Sequence, residues 1–189
     1  MRKVMLPDII LIGPINAGKS TIGKLLASYL GIPQCSMDDW RWQYYKEIGY
    51  DENLAKQKQQ TDGFWGVQKY WQPFEAYAVE RLLAEHHNCI IDFGAGHSVY
   101  DNPGLFQKVK QVLDPYPNVF LLLPSRNKEE SIRILKERSE LMPDEILEIN
   151  EHFVKHSSNY KLAKFIVYTK TKTPEETRND ILKILGVAC

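Results

Sequence analysis

At 189 residues the chain is long enough for one complete core and short for two independent domains. Hydrophobic residues make up 43% and charged residues 25%, an ordinary globular balance. Lys+Arg and Asp+Glu both total 24, so the composition argues against the basic track of a nucleic-acid binder while leaving room for a local phosphate pocket.

Taken from the N-terminus, Arg2 and Lys3 precede the apolar run Ile9-Ile10-Leu11-Ile12. That run is too short for a signal-peptide core and leads straight into glycine. Residues 8–12 therefore read as a buried strand. Residues 20–30 carry Ile22, Leu25, Leu26 and Leu30 at helical spacing, closed by Gly31. A short second strand is expected over 33–37.

Residues 38–83 read as helical or looped and are dense in Trp and Tyr. Trp40, Tyr44 and Trp71 are either core of a helical subdomain or the lining of a pocket. Residues 88–93 (NCIIDF) form a strand ending in Gly94 and Gly96; 102–113 is a helix stopped by Pro115 and Pro117; 119–123 is another buried strand. A charged amphipathic helix follows over 128–138, Pro143 breaks the chain, and Asp144 starts another helix. The last strand spans 165–168, and Pro174 opens a terminal helix.

Five strands, each followed by helical material, imply right-handed crossovers and a parallel sheet with helices on both faces. The expectation is a single α/β domain over 1–189 with three α/β/α layers, its ligand crevice at the carboxyl ends of the strands. Cys35, Cys89 and Cys189 are odd in number and lack CxxC spacing, which supports neither a disulfide framework nor a zinc site. No stretch approaches the roughly 18 apolar residues of a membrane span. A cytoplasmic monomer or homodimer without nucleic-acid or membrane partners is expected.

Gly13-Pro14-Ile15-Asn16-Ala17-Gly18-Lys19-Ser20 fits G-x-x-x-x-G-K-[ST] at every fixed position, between an apolar strand and an amphipathic helix. Such a loop turns successive backbone N–H groups toward phosphate oxygens, and the following helix adds its positive end. Gly13, Asn16, Ala17, Gly18, Lys19, Ser20 and Thr21 are thus candidate ATP-binding residues. Lys19 would reach the β- and γ-phosphates and the Ser20 hydroxyl would ligate Mg²⁺. Asp92, ending an apolar strand, is the second candidate metal residue. The pattern predicts a P-loop NTPase fold.

Switch-type GTPase signatures are poor here: Asn127-Lys128-Glu129-Glu130 ends in Glu, and Asp92-Phe93-Gly94-Ala95 lacks the fourth-place glycine. The Asp92-Phe93-Gly94 tripeptide of protein kinases has no H-R-D partner. A small-molecule kinase remains the leading reading.

The stretch Ala17-Gly18-Lys19-Ser20-Thr21-Ile22-Gly23-Lys24-Leu25-Leu26-Ala27 resembles the start of shikimate kinases, P-loop kinases related to nucleoside-monophosphate kinases. Later features follow in similar order: the acidic turn SMDDW, the glycine cluster DFGAGHS, and a strand leading into an arginine-bearing helix. The resemblance implies ATP and Mg²⁺ as cofactors, residues 38–83 as acceptor-binding helices, and 136–158 as a short lid. It implies Arg138 near the γ-phosphate and Arg133 stacked on adenine.

The departures lie on the acceptor side. Ser36 and Asp38 stand where the family has D-x-D, and Gly94-Ala95-Gly96 replaces three glycines. The two arginines that hold shikimate's carboxylate fall at Glu75 and His156, so another acceptor is expected unless Arg41 or Lys155 substitutes. Asp38 is the candidate base or hydroxyl-orienting group, an N-cap being the structural alternative. Arg41, Gly94, Gly96 and His97 are candidate acceptor contacts. The rival readings are a nucleoside or nucleotide kinase, an antibiotic-inactivating phosphotransferase, and an ATP-binding regulator without transfer activity.

Overall fold

The computed structural model describes residues 8–139 and 141–187; Arg2, Lys3 and Cys189 lie outside them. Five strands form one wholly parallel sheet: β1 (Ile9–Ile12), β2 (Gln34–Ser36), β3 (Ile90–Asp92), β4 (Asn118–Leu123) and β5 (Phe165–Tyr168), in the order β2-β3-β1-β4-β5. The connections are helical: α1 (Lys19–Leu30), α2 (Met37–Glu47), α3 (Glu52–Glu85), α4 (Pro103–Leu113), α5 (Lys128–Glu137), α6 (Asp144–Lys155), α7 (Ser157–Leu162) and α8 (Pro174–Ile184).

Side-chain alternation along the central strands sorts these helices into two layers. Ile9 and Leu11 face one way, packing with Phe120 and Leu122 against Ile22 and Leu26 of α1 and Ile181 and Leu182 of α8. Ile10 and Ile12 face the other way, toward Val79 and Leu82 of α3 and Val109 of α4. All four residues of β1 are fully buried. At about 1.5–3 kcal/mol for each large aliphatic side chain withdrawn from water, this sheet dominates the core. A strand buried on both faces has no polar alternation, which is why β1 and β4 read as continuous apolar runs.

Register places the chemistry. Leu11 pairs with Asp92 on one side and Phe120 on the other, so the loop after β1 emerges beside the carboxyl end of β3. The order makes β1 and β4 neighbours although two strands and several helices separate them in sequence. Ligand crevices form outside such strand ends.

Three local details add to the sequence reading. Helix α2 begins at Met37 with Ser36 in the N-cap position, so Asp38 lies inside the first turn and is not the cap. The helix from Asp144 ends at Lys155, because His156 adopts extended backbone (φ −67°, ψ 135°) and α7 starts anew. Helix α3 is bent at Gly63, whose φ of 63° is left-handed.

Candidate active site

The loop from Gly13 to Ser20 wraps over the end of β1. Gly13 has φ 141°, and a Cβ there would meet the Leu122 carbonyl oxygen at 2.6 Å, so glycine is required by both conformation and space. Gly18 caps α1 with φ 97°, and Asn16 is also left-handed at φ 59°. Asn is one of the few side chains that tolerates this region. Ala17 is buried at the base of the loop. Lys19 is 9% exposed and donates from Nζ to the carbonyls of Gly13 (2.9 Å) and Pro14 (2.8 Å). Burial pushes its ammonium down to about 8, partly offset by Asp92 and Asp38.

Asp92 is 2% exposed and collects three donors from two elements, α1 and β2. Ser20 Oγ donates to Oδ1 at 2.8 Å, Gln34 Nε2 to Oδ2 at 2.6 Å, and Ser36 Oγ to Oδ1 at 3.1 Å. A hydroxyl and a carboxylate in contact at the end of the phosphate loop are the oxygen donors a magnesium ion takes. The residues fit the ion that the motif implies.

Beyond this loop opens a cavity of about 480 Å³. Its donor end is Gly18, Lys19, Ser20 and Thr21; its far wall carries Asp38, Arg41, Glu75 and His97. Asp38 Oδ1 pairs with Arg41 Nη1 at 3.3 Å, and the Arg41 guanidinium lies 4.7 Å from the Trp42 ring centre. Arg41 Nε is buried without a hydrogen-bond partner.

Glu75 is 3% exposed, and its carboxyl receives one long hydrogen bond, from Gln68 Nε2 at 3.4 Å. Desolvation pushes its carboxyl up to about 8, against the pull of Arg41. Gly96 permits this approach: a Cβ at position 96 would collide with Glu75 Oε1. Gly94 leaves room for the His97 ring in the same way, since its Cβ would lie 2.7 Å from Nδ1. His97 is fully buried, contacts Tyr45 OH through Nε2 at 3.1 Å, and is driven down to about 3, chiefly by burial and then by Arg41. It is a neutral imidazole at physiological pH.

The structure therefore brings the phosphate loop, Asp38, Arg41, Gly94, Gly96 and His97 to one cavity, with Asp92 directly under it. Other predicted residues stand elsewhere. Arg133 pairs with Glu137 along α5 at 2.6 Å, with its side chain 61% exposed, and is not among the cavity residues. Arg138 reaches the Asn16 carbonyl at 3.4 Å from the segment after α5, touching the loop from outside the cavity. Trp71 lines the cavity, but Tyr44 is fully buried and donates to Glu85, and Trp40 packs on His86. His156 lies against Asp101, away from the cavity.

Phe64, Gln68 and Phe153 are cavity residues that the sequence reading did not single out. Asn150, outside the cavity, acts on the loop. It accepts from Ile15 N at 2.7 Å and donates to Ile15 O at 3.1 Å, fastening α6 to the phosphate loop.

Fold and loop together define a P-loop NTPase domain with three α/β/α layers. The shikimate kinase family model matches residues 15–186, and the chain belongs to that family. Curated shikimate kinases of Francisella tularensis subsp. holarctica (strain OSU18) and Francisella philomiragia subsp. philomiragia are each 35% identical over 89 residues. Those matches cover 47% of this chain and 45% of the relatives, so the chain matches less than half their length.

Among solved structures, a shikimate kinase from Acinetobacter baumannii in complex with shikimate aligns with TM-score 0.63 and 19% identity, over 95% of this chain and 93% of that one. A shikimate kinase from Aquifex aeolicus aligns with TM-score 0.57 and 24% identity, over 95% and 96%. A gluconokinase from Sinorhizobium meliloti 1021 aligns with TM-score 0.57 and 16% identity, over 95% and 91%. These likenesses speak to the fold. No helix among the described residues is long and apolar enough to cross a membrane.

Proposed function

We propose that the protein transfers the γ-phosphate of ATP to a hydroxyl of a small molecule, and that this acceptor is not a carboxylate held as shikimate would be. The observation that carries the second part is Glu75: a buried carboxyl stands on the cavity wall where the family resemblance assigns a cation. Protonated, it offers a carboxylate no countercharge. Ionised, it would repel one at about 4 Å by about 4 kcal/mol at an effective dielectric constant of about 20. Arg41, on the same wall, is already paired with Asp38. The solved neighbours include both shikimate kinases and a gluconokinase, so the fold alone does not set the acceptor.

In this reading the backbone N–H groups of 13–20 and the Lys19 ammonium hold the triphosphate, with Ser20 and Asp92 as the magnesium donors. The ion supplies neutralisation of phosphate charge. Asp38, at the start of α2 and opposite the loop, holds the acceptor hydroxyl in line and takes its proton as the new P–O bond forms and ADP leaves. In-line positioning matters more here than strong base chemistry. Arg138, which already reaches the Asn16 carbonyl, is assigned a phosphate contact. His97, neutral and buried, acts as a fixed polar wall and not as a proton carrier.

The test is ATP consumption against neutral polyols, sugars, amino alcohols and hydroxy acids, shikimate included. Turnover with a compound lacking a carboxylate, and none with shikimate, is expected. Shikimate emerging as the best acceptor would overturn the acceptor assignment. Tight ATP binding without turnover on any acceptor would overturn the enzyme assignment in favour of a regulator.

A further inference from the structure

Away from the cavity, Asp101, His152 and His156 converge from two parts of the fold. His152 lies in the last turn of α6, and His156, four positions on, is the extended residue that ends it. Each presents Nε2 to the same oxygen, Asp101 Oδ1, at 3.4 Å. The three ligand atoms lie within 4.8 Å of one another. We propose that these residues bind one divalent transition ion of the zinc type, joining α6 to the loop that follows the Ala95–Ser98 turn.

The spacing is the first argument. Charge-assisted hydrogen bonds run at about 2.7–2.9 Å, and 3.4 Å is long for one. Ligand atoms bound tetrahedrally at about 2.0–2.2 Å lie roughly 3.3–3.6 Å apart, the separation seen here between each imidazole and the carboxylate. The donor set is the second. Two imidazoles and one carboxylate suit zinc and its first-row neighbours, whereas magnesium and calcium take oxygen ligands. Three protein ligands leave a fourth position for water.

The surrounding groups are the third argument. Gln72 is 4% exposed and grips Asp101 twice: Nε2 donates to Oδ2 at 2.8 Å, and Oε1 accepts from the Asp101 N–H at 3.2 Å. This leaves Oδ1 free to face the histidines, as an outer-shell partner does in metal sites. Trp65 packs edge-on to His152, with ring centres 5.2 Å apart. One contact opposes binding. His156 Nδ1 accepts from Ser158 N at 3.2 Å, and ligation through Nε2 would move the ring proton to Nδ1 and release that cap. The site is therefore expected to bind reversibly.

The probe is Co²⁺ titrated into chelator-stripped full-length protein and followed by its visible ligand-field absorption, with Zn²⁺ as competitor. One equivalent of low-symmetry Co²⁺, displaced by Zn²⁺, is expected, together with a rise in thermal midpoint. His152→Ala and Asp101→Asn should each weaken binding at least about 10-fold, and Gln72→Ala by about 10-fold. Asp92→Asn should leave it unchanged. His152 is part-exposed, and circular dichroism checks that its variant folds. Absence of saturable binding, or binding indifferent to His152 and Asp101 or abolished by Asp92→Asn, would overturn the proposal.

Discussion

Replacing Glu75 with Gln tests the buried carboxyl through stability rather than activity. The substitution keeps shape and removes one titration. Folding raises this carboxyl from 4.5 to about 8, which at about 1.36 kcal/mol per pH unit is on the order of 5 kcal/mol in full. The sign follows from proton binding. Between these two values the folded state holds a proton that the unfolded state has lost, so stability falls as pH rises. The contribution is fully present below pH 4.5, fades through the window, and is gone above about pH 8. Between pH 5 and pH 8 the native protein should lose roughly 3–4 kcal/mol relative to Glu75→Gln. Urea unfolding of both proteins at pH 5, 6, 7, 8 and 9 measures this, because the difference between them cancels every other titrating group. Parallel pH profiles would refute the picture of an isolated, desolvated carboxyl.

Other substitutions probe the remaining parts. Lys19→Ala should leave the fold intact and cut transfer by about 10³-fold or more, since a positioned charge on the transferring phosphoryl group is lost; single-turnover kinetics measure it. Asp38→Ala should preserve ATP affinity in calorimetry and lower kcat by about 10²–10⁴-fold. Full activity there would refute the assigned acceptor geometry. Gly96→Ala drives a methyl group into Glu75 and should cost about 1–3 kcal/mol, a fall of several degrees in Tm, by scanning calorimetry.

The inner strands were legible because they are buried on both faces and announce themselves as unbroken apolar runs, as Ile9 to Ile12 and the 118–123 segment do. The phosphate loop was legible because its chemistry is local: one turn, one helix start, eight consecutive residues. The acceptor wall was legible in part: Asp38, Arg41, Gly94, Gly96 and His97 stand near strand ends, whereas Phe64 and Gln68 reach the cavity from α3 beyond its bend at Gly63, and periodicity does not give the direction of such a bend. Asp92 was singled out as a strand end, but its donors Gln34 and Ser36 come from a neighbouring strand whose pairing is set by sheet order. Arg133 stands near a family position in sequence, while in space it pairs with Glu137 one turn on, outside the cavity.

The unspecified letters of the G-x-x-x-x-G-K-S pattern are usually treated as spacers. In this chain two of them are fastened. Ile15 gives both backbone polar groups to Asn150, 135 positions further on, and Asn16 donates to Ser139 at 2.8 Å. The cradle is therefore tied to Ser139 and to α6, and a movement of the loop that keeps these bonds carries both with it. Loading the donor side and repositioning the cover would be a single event with one free energy. An exchange at Asn150, which lies outside the motif, would then register in kinetics as a fault in the phosphate loop.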